Sequence, residues 1–379
     1  GDVLLLTPAL GALRERYPAA RITAMVGPWA TRLLEGNGDV DAVISCPFPG
    51  FVRGAAAGPL SPYLTLARFA ALLRAGRFDT AIVARDDHWW GGLLALGAGI
   101  GRRIGFHHPL LAPSLTTALP WDAKDHVTAQ ALALVEGLPF TAKAPGTQSP
   151  QSIKEGALTQ RPRKPESQSF DETATPDIRH PDSRPPVTFR PTAAERDWAA
   201  EWVGRHAGGR PLIAIQPGSG GAAKLWPAER WAALARDLAA SGALVLTGGP
   251  ADSADVAAVS ALLAAPHQTL VGATSLGQLA ALFGRCALVL GVDNGPLHLA
   301  VSQSVPTVHL FGPGDHGRFG PWGDPRRHVV VRSGLWCSPC GVLSHCPRQT
   351  SPSECMATIS VSQVLRVAGA LLAAQPPSA

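Results

Sequence analysis

The residues able to do chemistry in this chain sit in glycine-rich loops that follow short apolar runs. After Leu212 to Gln216 comes Pro217-Gly218-Ser219-Gly220-Gly221-Ala222-Ala223-Lys224-Leu225-Trp226-Pro227. The glycines let backbone approach a ligand closely, Ser219 offers a hydroxyl, and Lys224 supplies a point charge suited to phosphate. The Gly-Lys-Ser/Thr ending of a Walker loop is absent, so the loop is either another kind of phosphate cradle or an ordinary turn with a solvated lysine. After Ala287 to Val292 comes Asp293-Asn294-Gly295-Pro296-Leu297-His298-Leu299-Ala300. Asn294 and Gly295 suit a tight turn, Pro296 suits a first helical turn, and the backbone N–H groups there suit an anion. The plainer readings are a helix cap for Asp293 and a buried, hydrogen-bonded side chain for His298. In the segment Leu310 to Gly323, Arg318 can meet a phosphate or a carboxylate, or lie solvated at the surface. Cys46 and Cys286 stand alone and read as small buried apolar residues, whereas Cys337, Cys340, Cys346 and Cys355 cluster. A Cys-x2-Cys pair is a common half of a zinc site, so a structural zinc is one reading of the cluster, beside disulfides and free thiols.

Elements must hold these loops in place. Runs rich in branched residues at Arg21 to Val26, Asp41 to Ile44, Asp79 to Ala84 and Arg102 to Phe106 predict strands, with helices at Pro8 to Tyr17 and Ser61 to Ala75 between them. Strands are also expected at Leu212 to Gln216, Ala243 to Thr247, Thr269 to Gly272, Ala287 to Val292 and Pro306 to Phe311. The helix opening at Pro227 places Trp231, Leu234 and Leu238 on one face. Thr192 with Glu195 and Ser275 with Gln278 form capping boxes, and each marks a helix start. Such alternation predicts an α/β fold, two parallel-sheet lobes facing a cleft, with ligands at the carboxyl ends of the strands. Gly1 to Pro8 reads as a turn and then a helix start with Pro8 in its first turn; a turn of this kind follows a strand, so a first strand is expected ahead of Gly1. Thr141 to Pro185 holds seven prolines and few large apolar groups, which predicts a disordered linker or insertion. The expected organisation is an amino lobe at 1–140, the linker at 141–185 and a carboxyl lobe at 186–379.

Composition excludes several classes. The 379 residues carry 33 Lys+Arg and 28 Asp+Glu, a net charge of +5, with 46% hydrophobic and 16% charged residues. A wholly disordered, collagen-like or coiled-coil chain does not have this balance. The best apolar run, Trp89 to Gly101, ends at Arg102 and is too short to span a bilayer. The modest positive charge is weak evidence for an anionic partner: no nucleic-acid partner is expected, and an anionic lipid face suits it at least as well, with Arg102, Arg103, His107 and His108 as a candidate contact. No export signal is visible, so a cytoplasmic address is expected.

Taken together, Gly1-Asp2-Val3 with Thr7-Pro8-Ala9-Leu10, the Pro217-Gly218 loop with Lys224 and Trp226-Pro227, the segment Asp293 to Ala300, and Leu310-Phe311-Gly312-Pro313 ending in Gly320-Pro321-Trp322-Gly323 resemble the ADP-heptose:lipopolysaccharide heptosyltransferases, glycosyltransferase family 9. The order and spacing agree over nearly the whole chain outside Thr141 to Pro185. The resemblance implies two Rossmann-like lobes of the GT-B type, the amino lobe binding the acceptor and the carboxyl lobe the nucleotide sugar. It implies inverting, metal-independent transfer of a heptose from ADP-heptose to the lipopolysaccharide inner core, with no cofactor, by a peripheral protein on the inner face of the inner membrane acting on a lipid-anchored saccharide. Asp2 matches the catalytic base. Ser219, Gly220 and Lys224 match the diphosphate contacts, Lys224 also stabilising the leaving group. Asp293, Asn294, Gly295 and His298 match the donor-sugar and phosphate loop, and Asp252 loosely matches an acidic residue near the ribose. The family often carries cysteines at the position of the cluster. Another nucleotide sugar as donor, or sugar-nucleotide binding without catalysis, are the alternative readings. Asp86 and Asp87 are adjacent rather than alternating, so they do not form the Asp-x-Asp pair that would hold a cation against a diphosphate.

Overall fold

A computed structural model describes residues 1–49, 58, 60–138 and 185–375. The linker expected at Thr141 to Pro185 lies outside the described residues, Pro185 excepted. In chain order the amino-terminal part runs α1 (Asp2–Arg16), β1 (Thr23–Val26), α2 (Thr31–Leu34), β2 (Ala42–Ser45), α3 (Ser61–Ala75), β3 (Thr80–Ile82), α4 (Trp89–Gly97), β4 (Arg102–Phe106), β5 (Thr117–Leu119) and α5 (Val127–Glu136). The carboxyl-terminal part runs α6 (Ala193–His206), β6 (Leu212–Gln216), α7 (Ala228–Leu238), β7 (Ala243–Gly248), α8 (Ser253–Leu262), β8 (His267–Val271), α9 (Leu276–Phe283), β9 (Cys286–Val292), α10 (Gly295–Ser302), β10 (Thr307–Phe311), α11 (His316–Phe319), β11 (His328–Arg332), α12 (Glu354–Ala357) and α13 (Val361–Ala373).

Every described strand pairing is parallel. The carboxyl-terminal part forms one sheet of six strands in the order β11-β10-β9-β6-β7-β8. Its central strands Leu212–Gln216 and Cys286–Val292 are apolar almost throughout because helices cover both faces. On one face pack Trp231, Leu234 and Leu238 of α7 with Val364, Ala368 and Leu371 of α13. The other face carries Trp202 of α6, Leu279 and Phe283 of α9, and Leu299 of α10. Both expected capping boxes form, Thr192 with Glu195 and Ser275 with Gln278. The amino-terminal strands make two separate sheets, β1-β2 and β3-β4-β5, and among the described residues no strand bridges them.

The strand expected at Thr269 to Gly272 begins earlier, at His267, and β5, β11 and α13 are additions to the sequence reading. The start of the chain differs more. Helix α1 begins at Asp2, so Asp2 is its first residue rather than part of a preceding turn, and Pro8 lies inside it. A proline there has no N–H for the carbonyl four residues earlier. Thr7 supplies the missing donor, its hydroxyl reaching the Leu4 carbonyl at 2.7 Å. The same oxygen accepts the Thr188 N–H at 2.8 Å. Leu4 and Leu5 of this helix share a core with Val187, Phe189 and Leu297, so α1 is fastened to the carboxyl-terminal part as well as to α5. Replacing Thr7 by Val keeps the volume and strands two buried partners, which should cost about 1–3 kcal/mol. Thermal or urea unfolding measures this, and an unchanged transition would show that the helix tolerates Pro8 without the hydroxyl.

Candidate active site

In a sheet ordered as this one is, the chain reverses direction between β6 and β9, and the loops leaving those two strands open to opposite faces. The crevice at this switch point brings together the two loops singled out in the sequence. Lys224 Nζ donates to the Asp293 carbonyl at 2.7 Å and lies 3.3 Å from Asp293 Oδ2. Their side chains are only 13% and 14% exposed, so neither charge is free to seek water. Asn294 makes a second tie, donating from Nδ2 to the Gly218 carbonyl at 2.9 Å while its Oδ1 accepts the Leu297 N–H at 3.1 Å and caps α10. Burial raises the Asp293 carboxyl above its ordinary value, and Lys224 opposes the shift.

Gly218 has a steric reason: a Cβ there would stand 2.4 Å from Asp252 Cγ. Asp252 is held in that place by the Gly249 N–H at 2.8 Å and Gln216 Nε2 at 3.3 Å, and the Thr247 hydroxyl donates to Gln216 Oε1 at 2.7 Å. Ser219 Oγ accepts the Gly221 N–H at 3.3 Å, and Gly220 is exposed. The anion site expected at α10 is narrower than its sequence suggests. Pro296 has no N–H and Leu297 gives its own to Asn294, so Gly295 keeps the N–H that the cap does not use. His298 is buried, burial pushes its imidazole well below the usual range, and its Nδ1 has no hydrogen-bond partner among the described residues.

Helix α1 points its first turn at this crevice, because a Cβ on Gly295 would lie 3.1 Å from the Gly1 nitrogen. Asp2 is exposed there and its Oδ2 lies 3.3 Å from Arg85 Nη1. Arg85 also grips Asp87, through Nε at 2.5 Å and Nη2 at 3.2 Å, and that contact lowers the Asp87 carboxyl. The neighbouring Asp86 accepts from Arg318 Nη2 at 3.3 Å across the cleft. Arg318 stacks over Trp121 and Phe319 with its charge in this partly buried pair, so it does not stand in solvent. Arg85, Asp86, Gln216 and Thr247 were not singled out as site residues. The signal for the first two was their place just after β3, since carboxyl ends of parallel strands gather functional groups.

One expectation is corrected. Among the described residues no group of three or more His, Cys, Asp or Glu is arranged to hold a metal ion. Cys337, Cys340, Cys346 and Cys355 are near enough that the other three thiols add to the burial that raises Cys355. Their directions still differ: Cys355 is buried against Gly312, Cys340 is exposed, and Cys346 accepts from the Thr350 hydroxyl at 3.3 Å, a bond that brings its thiol down to about 7. The set therefore does not fit a structural zinc. Of the candidate lipid contact at Arg102, Arg103, His107 and His108, Arg103 donates to the carbonyls of Ser114 and Ile100 and Arg102 lies 3.4 Å from Asp79, while Arg102 and His107 are exposed.

Two Rossmann-like lobes that meet at a cleft lined by the carboxyl ends of parallel strands make a fold of the GT-B type. The sequence profile of glycosyltransferase family 9 (heptosyltransferase) matches residues 66–347, and the chain belongs to that family. It is 26% identical over 333 residues to lipopolysaccharide heptosyltransferase 3 of Escherichia coli, covering 85% of this chain and 83% of the relative. Lipopolysaccharide heptosyltransferase 2 of Salmonella typhimurium is 34% identical over 110 residues, which cover 27% of this chain and 32% of the relative. The glycosyl transferase family 9 structure from Veillonella parvula superposes with a TM-score of 0.74 at 24% identity, covering 99% of this chain and 94% of its own. The Escherichia coli ADP-heptose lps heptosyltransferase II superposes with a TM-score of 0.70 at 22% identity, covering 98% and 96%.

Removing the cation of the Lys224–Asp293 pair makes a pH-dependent defect. In Lys224→Met the Asp293 carboxyl loses its main opposing influence and rises further, so the folded state holds a proton that the unfolded state has released. The penalty is absent below the unfolded carboxyl range and complete above the raised value. Denaturant unfolding should show a loss of about 3 kcal/mol near about pH 7.5 that shrinks toward about pH 4.5. A loss independent of pH would mean that Asp293 is not the group left uncompensated.

Proposed function

We propose that this protein transfers a heptose from ADP-heptose to the inner core of lipopolysaccharide, with inversion and without a catalytic metal. The carboxyl lobe, 186–379, would hold the nucleotide sugar and the amino lobe, 1–140, the lipid-anchored saccharide. The observation that carries this reading is the convergence of the Lys224 and Asp293 loops with the first turn of α1, on a chain of the heptosyltransferase family. The relative whose structure is named for ADP-heptose supports the choice of donor. Because the acceptor is lipid-anchored, the protein would work from the inner face of the inner membrane as a peripheral enzyme; no described helix is long and apolar enough to cross one.

In the proposed step the Asp2 carboxylate takes the proton of an acceptor hydroxyl as that oxygen attacks the anomeric carbon. A new C–O bond forms on the face opposite the departing group. The bond between the anomeric carbon and the diphosphate oxygen breaks with its electron pair, and ADP leaves. Lys224, the Gly295 N–H and the positive ends of α1 and α10 are the groups placed to meet the growing negative charge. Ser219 and Gly220 would line the diphosphate, Asn294 and His298 the sugar side, and Asp252 the ribose. Arg85, bonded to both Asp2 and Asp87, orients the base. Asp86 and Asp87 each face a guanidinium, an arrangement that neutralises both carboxylates instead of offering them to a cation.

Asp2→Asn keeps the shape and removes the basicity. Turnover of labelled donor onto a core-saccharide acceptor should fall by about 10²- to 10⁴-fold while donor affinity stays nearly constant. Near-normal turnover would put the base elsewhere, and donor binding without turnover in the unaltered protein would favour a binding protein over an enzyme.

A further inference from the structure

Helices α3 and α4 pack together through Phe69 and Ala70 against Trp90 and Leu94. Each leaves a second stripe uncovered. On α3 this stripe holds Leu64 and Leu72, and on α4 it holds Trp89, Leu93 and Leu96, all between 39% and 68% exposed. The spacing is that of one helical face, Leu64, Arg68 and Leu72 lying four residues apart and Trp89, Leu93 and Leu96 four and three apart. Scattered exposed leucines are ordinary, but two adjacent helices with aligned aromatic and aliphatic positions make a patch that calls for an occupant.

The charge around the patch selects one. On α3 and the turn that follows it, Ser61 to Phe78, there is no Asp or Glu and there are three arginines, Arg68, Arg74 and Arg77. Arg68 sits within the apolar stripe of α3, and Arg68 and Arg77 are exposed. Apolar side chains interleaved with cations on a helix that carries no acid match the boundary between headgroups and acyl chains of an anionic bilayer. A symmetric contact with a second copy through α3 would set Arg68 against its own image with no carboxylate on that helix to compensate. The position is also right for work on a lipid-anchored substrate. Trp89 opens α4 two residues after Asp87, which shares Arg85 with Asp2.

We propose that the exposed faces of α3 and α4 dock this protein onto an anionic membrane surface, with Leu64, Leu72 and Trp89 entering the headgroup layer and Arg68 meeting lipid phosphate. This rests on the functional reading only for its purpose, the presentation of an acceptor near Asp2; the surface itself is argued from exposure and charge. The face differs from the one at Arg102 to His108.

Flotation of the full chain with phosphatidylglycerol vesicles and with phosphatidylcholine vesicles tests it. The unaltered protein should float with the anionic vesicles at low salt and bind the neutral ones weakly. Leu64→Ser with Leu72→Ser should lower the bound fraction about 10-fold, and Arg68→Glu should abolish the preference for anionic lipid. Both variants should keep the melting temperature and the rate of transfer to a delipidated saccharide acceptor. Equal flotation of the unaltered protein and the double serine variant would overturn the proposal. So would a protein that binds no vesicles but changes from dimer to monomer in that variant, since the face would then belong to a second copy. Patch-dependent flotation in a protein that transfers nothing to the soluble acceptor would uphold the docking surface while refuting the functional reading.

Discussion

The pair between Lys224 and Asp293 is the contact on which the site depends. It joins the loops leaving β6 and β9, the two strands between which the sheet reverses its direction of winding. With both side chains mostly withdrawn from water, the pair gives little net stability in itself, but breaking it leaves a charge that the surroundings cannot solvate. The consequence is geometric. The lysine of one loop cannot move without the backbone of the other, and Asn294 repeats the constraint by holding the Gly218 carbonyl. Asp252, packed against Gly218 and tied to Gln216, fixes the opposite side of the same loop.

The amino lobe meets this frame by polar contacts of a different kind. Arg318 reaches Asp86 from the carboxyl lobe, and the first turn of α1 abuts Gly295. Apolar contact supports them, since Leu4 and Leu5 share a core with Leu297 and Phe189. The carboxylate of Asp2 therefore stands at the edge of the crevice on a helix whose other end packs into its own lobe against α5. Thr7 allows this helix to begin so early, because its hydroxyl replaces the backbone donor that Pro8 lacks.

Much of this was legible in the sequence because it depends on local chemistry. The strands β6 and β9 read as unbroken apolar runs, the capping boxes at Thr192 and Ser275 announced their helices, and the switch-point loops carried the glycines and the lysine. The parts that were not legible depend on partners distant in the chain. Pro8 signals a helix start on local grounds, and only the Thr7 hydroxyl turned back to Leu4 makes it an interior residue. Arg318 could be read as a solvated surface residue until Asp86, far away in sequence, is brought beside it. The cysteine spacing permits a zinc site, but spacing says nothing of where thiols point, and Cys355 turns into the core against Gly312 while Cys340 faces solvent.

The central claim is that the crevice between the β6 and β9 loops is where a nucleoside diphosphate binds, with Lys224 as its principal cation. Calorimetric titration of ADP into the unaltered protein and into Lys224→Ala measures this most directly. The account predicts saturable binding that weakens by about 10-fold or more in the variant, the scale of one lost charge-assisted hydrogen bond. Equal affinity of the two proteins for ADP would contradict it.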